Sequence, residues 1–253
     1  MDVVMIGAGN VAHVLGRALK HAGHNMLSVW NRHVEKANKL AEELSATVTE
    51  RIEQLPADAD LYIMAVNDHV VAELVASLKI NKGILIHNAG TVKIDVLAPA
   101  AKKYGVLWPM KMIRSSMNNL GDCTIVVDGN NDDTKRQLCE LAKQLSERVT
   151  LADDATRQKM HLVAAISSNF TNHMYHLAAD YCKNEGLDFS LFYPLIESAA
   201  MQIQMAYPGD VQAGPAYRGD SATIERHRAL LNNNPGLLRL YDEVTLSIRK
   251  KFG

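Results

Sequence analysis

The chain has 253 residues, with 27 Lys and Arg against 28 Asp and Glu, a hydrophobic fraction of 47% and a charged fraction of 22%. This is the make-up of an ordinary globular protein able to bury a core; no global field favours nucleic acid or an acidic membrane, so any anion preference must come from a local site. No apolar run approaches the roughly 20 residues of a membrane helix. Cys123, Cys139 and Cys182 are odd in number, widely spaced and without a CxxC pair, which speaks against a disulfide framework or a metal site. A first strand that starts at Asp2 leaves no room for a basic leader, so the expected location is cytoplasmic.

Along the first half, short β-branched runs alternate with amphipathic stretches. Residues 3–6, 26–30, 61–66, 84–87, 106–108 and 124–127 read as strands, and residues 11–21, 34–44, 70–78 and 134–145 as helices. Helical spacing of Ala37, Leu40, Ala41 and Leu44 is typical of this half. Such a βαβα series implies a parallel sheet covered on both faces, with right-handed crossovers. After about residue 151 strand signals vanish. Asp153 or Asp154 can cap a long helix to Lys183, a second helix spans 189–206, and a loop rich in Pro and Gly fills 207–219. Asp220 or Ser221 opens a third helix, and Asn234-Pro235 a last one. The expected division is 1–152 and 153–253.

Gly7-Ala8-Gly9-Asn10-Val11-Ala12 follows the first strand and opens the first helix. This is G-x-G-x-x-A. Gly7 permits the tight turn, Gly9 lets backbone approach a pyrophosphate, and Ala12 lets the helix pack closely on the sheet. An ordinary glycine turn uses the same residues, but the position at strand end and helix start favours a nucleotide site, with Asn10 and Val11 offering amides at the positive helix end. The second strand ends Trp30-Asn31-Arg32-His33, without the acid that grips the ribose of NAD. Asn31 can bond a ribose or phosphate oxygen, and Arg32, unless it is a solvated loop cation, can pair with a 2′-phosphate through its planar fork. The expected cofactor is therefore NADP(H). Ala65 and Val66 close one later strand, where they can flank the adenosine or phosphates. Asn88 to Gly90 close another on the nicotinamide side, although plain turn chemistry accounts for such residues equally well.

In the helical half, at about 100° per residue, His161, Ser168, Asn169, Asn172 and His176 fall within an arc of roughly 100°. Asn172 and His176 suit a solvent face. Yet no Lys or Glu occurs between 160 and 179, so His161, Ser168 and Asn169 suit directed hydrogen bonding in a cleft, with satisfied core or interface polars as the other reading. In Gly214-Pro-Ala-Tyr-Arg218-Gly-Asp220, Arg218 either pairs with a capping Asp220 or holds a substrate carboxylate; both remain open.

The stretches Val4–Ala12, Val29–Arg32, His161 with Ser168-Asn-Phe170, Tyr193–Ile196 and Gly214–Asp220 with His227 resemble a bacterial family of Rossmann-like proteins labelled NADP oxidoreductases, whose helical C-terminal domain has no assigned function. More distantly, the layout is similar to pyrroline-5-carboxylate reductases, ketopantoate reductases and 6-phosphogluconate-dehydrogenase-like enzymes. The resemblance implies an N-terminal Rossmann doubly wound parallel sheet joined to an all-α domain, and a homodimer formed through the C-terminal helices. Laid on the ketopantoate-reductase pattern, His161 stands where that family has a catalytic Lys, Ala165 replaces an Asn, and Asn169 matches another. It implies hydride transfer to or from a small anionic carbonyl or imine compound. His161 would be general acid, with Ser168 and Asn169 orienting substrate. Because the lysine is missing, an NADP(H)-binding sensor without turnover is the alternative.

Overall fold

Strand β1 (Asp2–Ile6) shows why the sheet is buried on both sides. Val3 and Met5 join a core with Leu15, Leu19, Leu40 and Ile63, whereas Val4 and Ile6 join a second with Tyr62, Met64, Val71 and Leu85. The run Val3–Ile6, apolar at every position, can be satisfied only between two helical layers.

The computed structural model describes residues 1–253 and divides into two compact units, Met1–Phe170 and Thr171–Gly253. In the first, α1 (Asn10–His21), β2 (Asn25–Trp30), α2 (Val34–Leu44) and β3 (Thr47–Val48) follow β1. Then come β4 (Leu61–Met64), α3 (Val71–Val75), β5 (Ile84–His87), β6 (Tyr104–Pro109), β7 (Ile125–Gly129), α4 (Asp132–Leu145), β8 (Val149–Leu151) and α5 (Asp154–Ala164). The strand order is β3-β2-β1-β4-β5-β6-β7-β8. It reverses at β1, which pairs in parallel with β2 on one side and β4 on the other. That reversal opens a crevice at the carboxyl ends of β1 and β4, the usual place for a ligand in such sheets.

The Rossmann-type layout expected from the alternation is present, with one local departure. β7 runs antiparallel to β6, and β8 is parallel to β7. The connection from β6 to β7 contains no helix, so the chain lacks the crossover that would return it in the same direction. β3 and β8 span two and three residues, too short to leave a periodic signal.

Asp153 caps α5 by accepting the amide of Thr156 at 2.8 Å. The helix continues through a π-helical stretch, Ala165–Phe170, into α6 (Thr171–Asn184). The long helix is thus present, but the division between units falls inside it. The second unit continues with α7 (Tyr193–Met205), α8 (Ser221–Leu230) and α9 (Pro235–Phe252). Asp220 and Asn234 cap the last two by accepting amides three residues on, at 3.0 and 3.2 Å. Among its hydrophobic residues only Cys182, Ile224 and Leu231 are buried.

Candidate active site

The glycine loop is shaped by two requirements. Gly7 sits at φ +113°, and a Cβ there would lie 2.3 Å from the Ala65 carbonyl oxygen, so both backbone sterics and the neighbouring strand demand glycine. Gly9 caps α1, and a Cβ built on it would meet nothing within 4 Å: the space before it is open. The first helical bond of α1 runs from the amide of His13 to the Gly9 carbonyl at 3.1 Å. The amides of Asn10, Val11 and Ala12 therefore have no helical acceptor, and no acid stands in the first turn. Ala12 is fully buried against the sheet and acts by packing rather than by facing the crevice. An open backbone cradle at a positive helix end fits a pyrophosphate.

A cavity of about 320 Å³ extends from this loop. Gly7, Gly9, Asn31, Arg32, Ala65 and Val66 line it, and so do His33, Lys36 and His69, which sequence reading missed. No Asp or Glu lines it. Lys36 could have been found: it lies four residues after Arg32, on the first turn of α2. Asn31 donates through Nδ2 to the His33 carbonyl at 3.0 Å, which folds the basic turn back on itself.

The groove continues into a second cavity of about 400 Å³, which shares Gly9, Ala65 and Val66 with the first and adds Asn10, Val11, Asn88, Trp108 and Lys111. Asn88 donates through Nδ2 to the Leu107 carbonyl at 2.6 Å, while its Oδ1 is buried without a partner. A buried acceptor left open in this way is costly unless an N–H donor fills it, and an amide-bearing ligand such as nicotinamide supplies one.

A third cavity of about 460 Å³ shares Asn10, Trp108 and Lys111 with the second, and brings in Arg114, His161, Ser168 and Asn169. His161 is held between neighbours: its ring centroid is 5.6 Å from that of Trp108, and a Cβ added to Gly90 would stand 2.3 Å from its Cδ2. Gly90 therefore makes room for the imidazole. One turn earlier on α5, the fully buried Arg157 donates to the Val92 carbonyl and to Asp154 Oδ1, the latter at 2.6 Å. Asp154 Oδ1 also accepts the Ile94 amide at 3.2 Å. These bonds clamp the start of α5 to the segment after β5, and so fix where His161 stands. Next to them His87 is fully buried, accepts the Ala89 amide on Nδ1 at 3.1 Å, and is pushed down to about 4 by burial and then by Arg157. It is neutral at ordinary pH.

Lys111 and Arg114 belong to the segment after β6 that sequence reading left without a role. The rule that ligands gather at carboxyl ends of parallel strands would have drawn attention to Trp108 and Lys111. This segment is tied to α1: Asn10 Oδ1 accepts the Ser115 amide at 3.2 Å, and Arg17 donates to the carbonyls of Ser115 and, at 2.7 Å, Met117. Arg17 in turn pairs with Glu43, which also bonds His13 at 2.7 Å. The remaining sequence candidate, Arg218, lies in the second unit, where its amide donates to the Gly214 carbonyl at 3.1 Å. Asn172 and His176 are exposed there too, with His176 3.4 Å from Asp180.

Residues 2–99 match the family described as NADP oxidoreductase, coenzyme F420-dependent, and residues 123–248 match a domain of unknown function, DUF2520. Over 98% of both chains, the protein is 32% identical to BF3122 from Bacteroides fragilis, named a putative NADP oxidoreductase, with a TM-score of 0.92. The chain belongs to this NADP oxidoreductase family. Two more distant structures share the fold. Pyrroline-5-carboxylate reductase from Streptococcus pyogenes is 13% identical over 99% of this chain and 98% of that one, with a TM-score of 0.67. The imine reductase from Myxococcus stipitatus in complex with NADP+ is 14% identical over 99% of this chain and 93% of the other, with a TM-score of 0.70. No curated protein matches the chain. In this NADP oxidoreductase, the groove from Gly7 to Asn169 lies wholly within the first unit.

Proposed function

We propose that this oxidoreductase exchanges a hydride between NADP(H) and the carbon of a C=O or C=N bond in a small anionic metabolite. The observation that carries this reading is the chain of three adjoining cavities, which runs from the basic turn after β2, past the open helix end of α1, to His161. Gly7, Gly9, Asn10 and Val11 would hold the pyrophosphate, with Ala12 setting the helix against the sheet. Asn31 and Arg32 would hold the ribose and 2′-phosphate, with Lys36 and His33 adding charge. Ala65 and Val66 flank the adenosine and phosphates, and Asn88 receives the carboxamide end, with Gly90 supporting His161 behind it.

Bound NADPH supplies the hydride. His161 donates a proton to the oxygen or nitrogen as charge develops there, while Ser168 and Asn169 orient the substrate. The expected result is tighter binding of NADPH than NADH, lost in Arg32→Ala. NADPH oxidation found in a screen of small keto and imino acids should collapse in His161→Ala. Equal binding of both dinucleotides before and after the change removes the NADP assignment; tight NADPH binding with no turnover across the screen leaves a sensor.

The same reading includes a homodimer through the C-terminal helices. α7 buries none of its 13 residues, and Leu195, Met201 and Met205 are 68, 63 and 87% exposed. Large apolar side chains left exposed along one helix mark a surface that a partner covers. An apolar cavity of about 450 Å³ in this unit, walled by Met174, Tyr181, Phe189, Leu195 and Leu237 among others, adds to the surface that needs covering. Sedimentation velocity should find a dimer, and Met201→Glu with Met205→Glu should shift it to monomer; a monomeric parent protein ends this part of the proposal.

A further inference from the structure

The third cavity carries an electrostatic feature that hydride transfer alone does not require. Of its lining residues, the charged ones are Lys111 and Arg114, and there is no Asp or Glu among them. Neither cation is in an ion pair. Lys111 donates one bond through Nζ to the Leu120 carbonyl at 2.7 Å, which positions the ammonium without neutralising it and leaves further N–H donors. Arg114 keeps its whole guanidinium fork. Both side chains are exposed and on one short segment, so together they present uncompensated positive charge to an anion entering the cavity. The segment is also fixed rather than loose, through Asn10 and Arg17 on α1. The remaining polar groups of the cavity, His161, Ser168, Asn169 and Asn10, face the same space, and Trp108, Met110, Met112 and Ile113 supply an apolar wall.

We infer that Lys111 and Arg114 form the carboxylate clamp of the substrate site, the role that the sequence pattern offers to Arg218. This rests on the function proposed above and narrows it to carbonyl or imine compounds that carry a carboxylate. Arg114 would take the carboxylate through its planar fork and Lys111 would add a point charge. That holds the acid end of the molecule on the 110–120 segment and leaves its C=O or C=N bond for His161.

The test uses the full-length protein saturated with NADP+. Oxalate, its neutral diamide oxamide, and inorganic phosphate are titrated by calorimetry. Oxalate should bind, with oxamide and phosphate at least roughly tenfold weaker, and Arg114→Gln and Lys111→Met should each weaken oxalate by roughly tenfold or more. Arg114→Gln, which lies outside the cofactor groove, should keep NADP+ affinity within about threefold of the parent. Arg114→Lys should recover only part of the loss, since it restores charge but not the fork. Oxalate binding unaltered in both variants overturns the clamp, as does phosphate binding equal to oxalate. A loss seen in Arg218→Gln instead gives the role to Arg218 and also overturns it. If NADP+ fails to bind while oxalate still does, the cofactor reading falls and the anion site stands; the two failures are therefore separable.

Discussion

A single methyl group added at Gly90 tests how His161 is held. The Cβ of Gly90→Ala would lie 2.3 Å from His161 Cδ2, 3.0 Å from its Cγ and 3.1 Å from Trp108 Cε2. Carbon atoms pack at about 3.5 Å or more, so the imidazole must move by about 1.2 Å. Trp108 crowds the same point, and Arg157 fixes the preceding turn of the helix. With little freedom to relax, the strain should cost about 1–3 kcal/mol of stability. Displacing a proton donor by about 1 Å should reduce turnover on the order of a hundredfold. The discriminating assay is a double-mutant cycle in urea, using His161→Ala as the second change and comparing midpoints at constant slope. With the imidazole gone, the methyl group meets only Trp108, at a distance that a small shift relieves. Gly90→Ala should then cost less than about 1 kcal/mol, a coupling of about 1–2 kcal/mol between the two sites. If Gly90→Ala is equally destabilising in both backgrounds, the glycine does not exist to seat His161 and the reasoning is wrong.

Other outcomes follow from the same geometry. Lys36→Ala should weaken NADPH several-fold, roughly 1 kcal/mol, and leave NADH nearly unaffected, as measured by fluorescence titration; an equal loss for both would place Lys36 away from the 2′-phosphate. Gly7→Ala combines a positive φ with a 2.3 Å approach to Ala65, so it should lose several kcal/mol of stability together with cofactor binding; a folded variant that binds NADPH normally would refute the turn geometry. His87 gives a pH signature. Its folded value of about 4 lies below the 6.5 of a free imidazole, so the unfolded chain binds more protons between those limits. Stability is then full above pH 6.5 and falls by up to about 3 kcal/mol as pH drops toward 4. Urea midpoints measured across this range should flatten in His87→Asn; an unchanged slope would show that the histidine is not the group responsible.

Much of the first unit was legible because local pattern and burial agree there. A run such as Val3–Ile6 is apolar at every position and has only one satisfactory place, inside a sheet covered twice. Gly7 and Gly9 could be assigned from the chain alone, since a tight turn and an open helix end impose their own chemistry. The same holds for Asn234, whose cap is a local bond, while the structure decides for Asp153 over Asp154 at the start of α5. Other features depend on residues brought together from far along the chain. That Gly90 serves His161, that Arg17 on the first helix holds the segment bearing Lys111 and Arg114, and that β7 turns antiparallel all rest on contacts between distant segments. Only packing makes Arg157 a buried clamp with Val92 and Asp154. The sequence by itself determined where a glycine turn meets an open helix end, because helix ends and glycine turns act over a few bonds. Tertiary structure decided which side chains share the cavity with His161, because proximity across a sheet leaves no periodic trace in the chain.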